Sequence, residues 1–364
     1  MGLRLKRRDT PKALNTRLLN CLRPGAFRLF LALVVLICHS SRFDLGDWAV
    51  YTFFVLSGYW IHRMWVEKYS RTDSPVVVFY CSRFWRVLPI FWLTNLLSAV
   101  VQRAIDPRFL GTGVPGWGWL PALASNILVF GYADLPHTQG ALHAAWSLDV
   151  EMQFYLAFPV AFFLIARPRA SRAWQSALVA ACCVGLILFL VQSGPIARNL
   201  GYYGIFFLIG FACAHRNLAP SATLAAALAG AGAVVIALCW FNPAWRFLLE
   251  NAMHGATAGD IHHKRIAQAL LALASAPLAL FTVRNPSDAF DRRVGELTYV
   301  VYLVQWPIMT LHAYFFVHLP PLERLPSIIV AWCVVGAASW AIFRYFDQPI
   351  ERRRKRWVAA HSAA

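Results

Sequence analysis

Arg28 and His39 stand near the two ends of the first long apolar stretch of the sequence. Eleven residues of α-helix make three full turns plus about 20°, so both side chains would share one face, about 16 Å apart along the axis. An ionisable group within a bilayer costs on the order of 3 kcal/mol and normally faces a protein interior or an aqueous cavity. His39 is therefore a candidate functional residue. The alternative is a structural histidine bonded to a neighbouring carbonyl group.

A second polar constellation opens a later apolar stretch. Ser147, Glu151 and Tyr155 are spaced four residues apart and would share one helix face. Asp149 lies nearer the edge of the stretch, so Glu151 is the carboxylate that we expect to pair with His39. Such a pair can serve general-base chemistry on a hydroxyl group, a proton relay or a structural ion pair.

Two arginines mark the start of another apolar stretch. Arg83 and Arg86 are three residues apart and would project from one helix face, a geometry that suits phosphate oxygens. Ordinary anchoring at a membrane surface is an equally good explanation. The Ser57-Gly58 pair within a further stretch is typical of close helix packing and also offers a hydroxyl group.

The composition is that of a membrane protein. The chain has 364 residues, of which 59% are hydrophobic and only 14% charged. A soluble enzyme of this length carries far more charge. The net charge of +17 would suit a nucleic-acid partner, but the basic residues lie between apolar stretches, where membrane orientation explains them. We therefore expect membrane lipids around the chain and no nucleic acid.

The elements that position these residues are predicted to be all α-helical. We expect about ten transmembrane helices and a short re-entrant or interfacial segment near 119–133. The predicted spans are 26–41, 47–66, 83–103, 144–166, 174–193, 200–215, 220–241, 265–284, 295–317 and 325–346.

Charge decides the number of crossings. With ten spans, 26 of the 34 Lys and Arg residues fall on the N-terminal side of the membrane. Positively charged loops mark the cytoplasmic side, so both termini are predicted to be cytoplasmic, as basic tails over 1–23 and 351–364. Counting 119–133 as an eleventh crossing would move several of these residues outward. The short first span would also suit a signal peptide, but no cleavage site follows it, and we expect it to be retained.

Several motifs occur together and in order. They comprise Arg28 with His39, Phe53-Phe54-x-x-Ser57-Gly58, Arg83-x-x-Arg86-Val-x-Pro89, Trp146-Ser147-Leu148-x-x-Glu151-x-x-Phe154-Tyr155, Tyr299-x-x-Tyr302-Leu303 and Asp347-x-Pro349. In this order they resemble the acyltransferase-3 family of integral-membrane O-acyltransferases. The resemblance covers about 24–350, and we expect no additional soluble domain.

The resemblance implies a function. Members move an acyl group, usually acetyl from cytoplasmic acetyl-CoA as acyl donor, to a sugar hydroxyl of a surface glycan. We expect a multi-pass protein of the bacterial inner membrane, acting in exopolysaccharide biosynthesis of the xanthan type. The acceptor would be a polysaccharide or a lipid-linked oligosaccharide, and the reaction needs no metal. Lipopolysaccharide O-antigen and peptidoglycan are the next candidate acceptors.

The resemblance also suggests roles for the site residues. Arg28, Arg83 and Arg86 would bind the phosphates of the donor. His39 would act as general base or transient acyl carrier, with Glu151 orienting its ring or taking the proton. The remaining residues are expected to bind substrate: Ser57, Ser147, Tyr155, Tyr302 and Gln305.

Two positions depart from the family pattern. Gln305 stands where many members have histidine, and Asp347 replaces a glutamate. Glutamine keeps hydrogen bonding but cannot titrate. A catalytically inert scaffold is therefore one alternative. Another is a proton-coupled transporter or flippase of glycan intermediates that uses His39 and Glu151 as a relay.

Overall fold

The computed structural model describes residues 22–106, 109, 119–135, 139–166, 171–192, 198–251 and 257–362. The α-helices in this part of the chain are α1 (Pro24–Ser40), α2 (Gly46–Glu67), α3 (Pro75–Ile105), α4 (Trp119–Leu128), α5 (Trp146–Ala166), α6 (Ser171–Val191), α7 (Leu200–His215), α8 (Ala222–Phe241), α9 (Ala258–Thr282), α10 (Ala289–Phe316), α11 (Pro321–Ile342) and α12 (Gln348–Ala360). Extended pairing among the described residues is limited to isolated bridges. The all-α prediction is confirmed.

A helix coincides with each of the ten predicted spans, namely α1 to α3 and α5 to α11. Six stretches, in α3, α5, α6, α8, α9 and α11, are long and apolar enough to cross a membrane, and α1 and α7 are shorter apolar helices. In α8 most large apolar side chains are exposed, as expected of a helix that faces lipid. These features confirm a polytopic membrane protein. That all ten helices cross the membrane stays a prediction.

The segment predicted at 119–133 contains the short helix α4. Its ten residues span about 15 Å, roughly half the thickness of the hydrocarbon core of a bilayer. Trp92 of α3 donates to the carbonyl group of Ile127 (2.7 Å), and Asn95 bonds to Asn126 (2.9 Å). A helix of this length cannot cross the bilayer, and its bonds to α3 satisfy polar groups that would otherwise face lipid.

The helix that carries Arg28 and His39, α1, is held against α10 by hydrogen bonds at its first turn. Asp291 of α10 accepts hydrogen bonds from the backbone N–H groups of Gly25 (3.1 Å) and Ala26 (2.9 Å). These are free donors of the first turn of α1, and a carboxylate there also suits the helix dipole. A Cβ atom at Gly25 would overlap the carbonyl oxygen of Asp291, so glycine allows the two backbones to meet. Asp291 thereby fixes the position of α1 along the axis of α10.

The helix that carries Ser57, α2, packs closely against α7 at two glycines, one on each helix. A Cβ at Gly58 would overlap the carbonyl oxygen of Phe207, and one at Gly210 would overlap that of Val55. The predicted packing role of the Ser57-Gly58 pair is confirmed. Because Gly58 faces α7, Ser57 points away from it.

The segment predicted as a C-terminal basic tail, 351–364, belongs to the bundle as far as it is described. A π-helical turn, Phe343–Asp347, joins α11 to α12. On α12, Glu351, Arg354 and Val358 are buried. A hydrogen bond from Arg354 to Ser82 fastens this helix to α3. The boundary predicted at 350 therefore falls within a helix.

Candidate active site

A cavity of about 390 Å³ opens at the end of the bundle where α1 and α10 begin. We call it the basic chamber, because five arginine side chains line it: Arg28, Arg83, Arg86, Arg292 and Arg354. The structure thus gathers the three arginines predicted to bind the donor, although they come from two helices far apart in the sequence. Arg354, on α12, was missed by the sequence analysis, since nothing in a basic C-terminal segment marks one arginine as buried.

Arg28 is the least compensated of these charges. It faces α10 beside Gly295 and lies near Glu151, but it makes no hydrogen bond or ion pair with the described residues. A charge held inside a protein without a partner is costly. Its place in the wall of a cavity therefore fits an anionic ligand.

Arg83 is 6% exposed and has no carboxylate partner among the described residues. It donates to the hydroxyl group of Tyr69, lies 5.4 Å from the centre of that ring, and leaves its Nε without a partner. Burial would raise the pKa of Tyr69, but the charges of Arg83 and Arg354 lower it to about 8. Arg83 is therefore a second cation with spare donor capacity.

Arg86 differs from the other two. Its guanidinium donates to both carboxylate oxygens of Asp347 (2.9 and 3.1 Å) and to the backbone carbonyl of Glu296 (3.3 Å). This buried ion pair gives Asp347 of the Asp-x-Pro motif a structural role, because it ties the π-helical turn to α3. An ion pair of this kind already neutralises much of the charge that was predicted to bind the donor.

Glu151 stands at the inner end of the basic chamber. Its Oε1 accepts hydrogen bonds from Ser57 (2.7 Å) and Tyr155 (2.6 Å). A smaller space of about 70 Å³, the inner pocket, continues past Arg28, Ser57 and Glu151 to Ser147 and Tyr302. The predicted face of Ser147, Glu151 and Tyr155 thus lines one continuous path.

The inner pocket ends at a hydrogen bond between Ser147 and Tyr302. Their hydroxyl groups are 2.8 Å apart, and Tyr302 also donates to the carbonyl of Ala144 (3.0 Å). Phe53 closes the same wall, with its ring 6.2 Å from that of Tyr302. Four of the five residues predicted to bind substrate therefore line the chamber or the pocket: Ser57, Ser147, Tyr155 and Tyr302.

His39 is not part of this network. Its ring lies edge-on to Trp306 with centres 5.0 Å apart, and it lines neither the basic chamber nor the inner pocket. The predicted pairing with Glu151 is not formed. Glu151 lies at the level of Arg28, whereas His39 is about 16 Å further along α1. Nor is His39 a satisfied structural histidine, since its Nδ1 is buried without a partner in the described structure.

Arg28 and His39 do share one face of α1, as predicted. Arg28 lies beside Gly295 and His39 against Trp306, both on α10. These two α10 residues are separated by the same eleven positions as Arg28 and His39. The two helices therefore run parallel, and α10 covers the face that carries both functional groups.

Gln305 lies outside the path. It is fully buried, its amide nitrogen donates to the carbonyl of Tyr302 in its own helix (3.1 Å), and its Oε1 has no described partner. The structure therefore gives it no contact with either cavity. His312, two turns further on, bonds to Ser327 of α11 (2.9 Å) and does not replace the missing histidine.

Comparison with known proteins adds an independent finding. Residues 23–344 match a family model described as an acyltransferase domain. The chain is 25% identical over 316 residues to the acyltransferase MdmB of Streptomyces mycarofaciens, across 78% of this chain and 77% of that protein. No solved structure gives a significant match.

The chain also matches two O-acetyltransferases over shorter segments. It is 27% identical over 184 residues to OatA of Staphylococcus aureus strain NCTC 8325 / PS 47, across 46% of this chain and 29% of that protein. It is 27% identical over 146 residues to the peptidoglycan O-acetyltransferase OatA of Listeria monocytogenes, across 37% of this chain and 23% of that protein. The matched part is thus less than a third of either relative.

Proposed function

This chain belongs to the acyltransferase family whose domain it matches over residues 23–344, and from that premise we propose that it transfers an acetyl group from acetyl-CoA to a sugar hydroxyl. The observation that carries the proposal is the basic chamber, in which Arg28 and Arg83 have no carboxylate partner among the described residues. Coenzyme A is an anion with several phosphate groups. Its thioester lies at the end of a long thin arm, which suits a wide basic chamber that narrows to an inner pocket.

The residues of the basic chamber have different proposed roles in binding the donor. Arg28 and Arg83 bind phosphate oxygens by charge-assisted hydrogen bonds. Arg86 contributes mainly by holding Asp347 and the π-helical turn in place. Glu151 orients the hydroxyl groups of Ser57 and Tyr155 where the arm of the donor passes. It has a positioning role, because it does not reach His39.

The chemical step is proposed for the region of Tyr302 and His39. The acceptor hydroxyl oxygen attacks the thioester carbonyl carbon, a C–O bond forms, and the C–S bond breaks to release the thiol of coenzyme A. In one route His39 takes the hydroxyl proton as general base and passes it to the leaving thiolate of coenzyme A. In the other, Nδ1 of His39, which has no partner in the described structure, attacks the thioester carbon first, so that a C–N bond forms as the C–S bond breaks; the acceptor oxygen then forms the C–O bond as the C–N bond breaks, and the hydroxyl proton goes to the thiolate. Both routes balance without a metal or a redox partner.

We further propose that the basic end faces the cytoplasm of a bacterium and that the chain resides in the inner membrane. The acceptor is a surface polysaccharide or its lipid-linked precursor, with an exopolysaccharide as the first candidate. The name of the Listeria relative supports a glycan acceptor and adds weight to peptidoglycan.

The test is donor binding and turnover with the purified full-length protein. We expect acetyl-CoA to bind and to be slowly hydrolysed, and Arg28→Gln and Arg83→Gln to weaken binding at least tenfold. Arg293→Gln is the matched control, because Arg293 is exposed and does not line the chamber. Proton NMR of surface polysaccharide from deletion and complemented strains then shows which O-acetyl group depends on the gene.

Failure of the wild-type protein to bind acetyl-CoA, together with an unchanged O-acetyl pattern in the deletion strain, would contradict the proposal. That result would favour the transporter or flippase alternative.

A further inference from the structure

The basic chamber and the inner pocket meet at a narrow opening, which we call the neck. The side chains that line both spaces define it: Arg28, Phe53, Ser57, Glu151 and Tyr299. The hydrogen bond from Ser57 to Glu151 (2.7 Å) crosses between two helices, α2 and α5, and holds this part of the opening in place. The arm of a donor bound in the chamber therefore enters the inner pocket between fixed side chains.

Beyond the neck, the inner pocket ends inside the bundle. Six further residues line this end, and each is at most 7% exposed: Val50, Phe54, Ser147, Leu148, Thr298 and Tyr302. Val50, Phe54 and Leu148 give it an apolar wall. The hydroxyl groups of Ser147 and Tyr302 are bonded to each other (2.8 Å), so they need no ligand as a partner. The end of the pocket thus suits a small apolar group.

The volume of the inner pocket limits what can occupy it. A space of about 70 Å³ has room for roughly five to seven water-sized groups. The sulfur, the carbonyl group and the methyl group of an acetyl thioester fit within this limit, whereas a hexanoyl thioester adds four more carbon atoms and exceeds it. The wall cannot easily yield, because the ring of Phe54 stacks on that of Phe207 with centres 4.6 Å apart.

The position of the pocket limits the acyl chain as well. Tyr302 lies seven residues beyond Gly295 of the basic chamber, about 10 Å along α10. Trp306, one helical turn beyond Tyr302, contacts the ring of His39. An acyl chain enters the pocket ahead of its thioester, so each added carbon atom keeps the thioester carbon further from His39. A short chain is therefore favoured by position and by volume.

We propose that the inner pocket binds the acyl group of the donor, and that Val50 and Leu148 restrict it to short acyl groups such as acetyl. Both are buried aliphatic side chains in the wall of the pocket. One methylene group more or less in an apolar pocket changes specificity by about 10- to 200-fold, so a shorter side chain at either position admits a longer acyl chain. This assignment rests on the proposed acyl transfer from coenzyme A.

Two variants test the assignment, Val50→Ala and Leu148→Ala. The matched control is Val55→Ala, because Val55 is a fully buried valine of the same helix that lines neither space. Membranes of the deletion strain that carry each full-length variant are supplied with radiolabelled acetyl-CoA or hexanoyl-CoA, and the label transferred to the cell's own glycan is counted. The ratio of hexanoyl to acetyl transfer is the quantity compared, because it does not depend on how much protein folds.

We expect wild type to transfer acetyl at least about tenfold faster than hexanoyl, and both test variants to raise the hexanoyl-to-acetyl ratio by about tenfold or more. The ratio in Val55→Ala should stay within about twofold of wild type. Equal transfer of the two groups by wild type, or an unchanged ratio in both test variants, would overturn the assignment and leave the proposed function intact. An equal rise in Val55→Ala would also overturn it, because general loosening would then explain the effect. If wild-type membranes transfer neither group, the proposed function fails as well.

Discussion

At the scale of single residues, partners distinguish side chains that the sequence makes look equivalent. Arg83 and Arg86 are one helical turn apart and both face the basic chamber, yet within the described ranges only Arg86 has a carboxylate partner, Asp347. Arg83, whose Nε is buried without a partner in the described structure, therefore has unused hydrogen-bonding capacity and is the candidate for ligand binding.

His39 allows a test of chemistry apart from donor binding. Because it lines neither cavity, His39→Gln is expected to leave acetyl-CoA affinity within about twofold and to lower acetyl transfer by roughly a hundredfold or more. The two quantities are measured by equilibrium binding and by polysaccharide O-acetyl content at matched membrane levels. His312→Gln is the control, since His312 bonds to Ser327 away from the site. Full transfer by His39→Gln would remove His39 from the mechanism.

At the scale of helices, close approaches fix where the functional groups stand. Asp291 caps α1 and sets its depth against α10, and Gly58 lets α2 lie against α7 so that Ser57 points toward Glu151. The C-terminal helix α12 closes the basic chamber with Arg354. A change at any of these contacts is expected to act on the site through helix position.

Gly58→Ala measures one such contact. The added methyl group would overlap the backbone of Phe207, so α2 and α7 must move apart, at a cost of about 1–3 kcal/mol in unfolding free energy. We expect a lower melting temperature in detergent and reduced acetyl transfer. Gly336→Ala on α11 is the control, because a Cβ there meets no atom within 4 Å. Equal melting temperatures for the two variants would contradict the packing described here.

The stability that the bond between Glu351 and Arg354 of α12 gives to the folded state is expected to depend on pH. Burial would raise the pKa of Glu351, but its hydrogen bond with Arg354 (2.8 Å) and the charges of Arg86 and Arg354 lower that pKa to about 2. A carboxyl pKa below its ordinary value of 4.5 stabilises the folded state above about pH 4.5, and this stabilisation is lost as pH falls toward 2. Melting temperature should therefore fall with acidification in wild type.

Glu351→Gln is the variant that checks this. It should melt below wild type at pH 7, because Arg354 is left buried without its carboxylate, and the gap should narrow as pH is lowered from 5 to 3. Glu323→Gln on the exposed start of α11 should follow the wild-type curve. A constant gap across this pH range would show that Glu351 does not carry the dependence.

At the scale of the whole molecule, the bundle has two chemically different ends. Arginines and an open cavity mark the end where α1 begins, whereas the far end carries the ion pair of Asp44 with Lys264 and the ring of His39. If the donor enters at the basic end and the acceptor is held at the far end, the acetyl group crosses the membrane while coenzyme A stays on its own side. This division of the molecule is part of the proposal.

Sidedness can be measured with fusion proteins in a bacterial host. Green fluorescent protein fused after residue 362 should fluoresce, and alkaline phosphatase inserted at Gly259, at the start of α9, should be active. The same phosphatase inserted after Asn217, between α7 and α8, should be inactive, because that connection lies at the other end of the bundle. The reverse pattern would place the basic chamber outside the cytoplasm.

The sequence by itself determined the helices, the family and the face of each functional residue. Apolar stretches interrupted by basic loops suffice to locate spans, because a bilayer requires backbone groups to bond within a helix. Helical spacing suffices to place Arg28 with His39, and Ser147 with Glu151, on common faces. The sequence also predicted a distinct short segment near 119–133, which contains α4.

Only the tertiary structure decided which faces meet and at what depth. Arg86 and Asp347 are 261 positions apart, and no local pattern shows that one neutralises the other. His39 and Glu151 each lie on the predicted face, but their helices place them at different levels, so the expected pair does not form. The spacing of two residues along one helix fixes the angle and the axial distance between their side chains. The neighbour that a side chain meets depends on caps and glycine contacts between helices, such as those of Asp291 and Gly58.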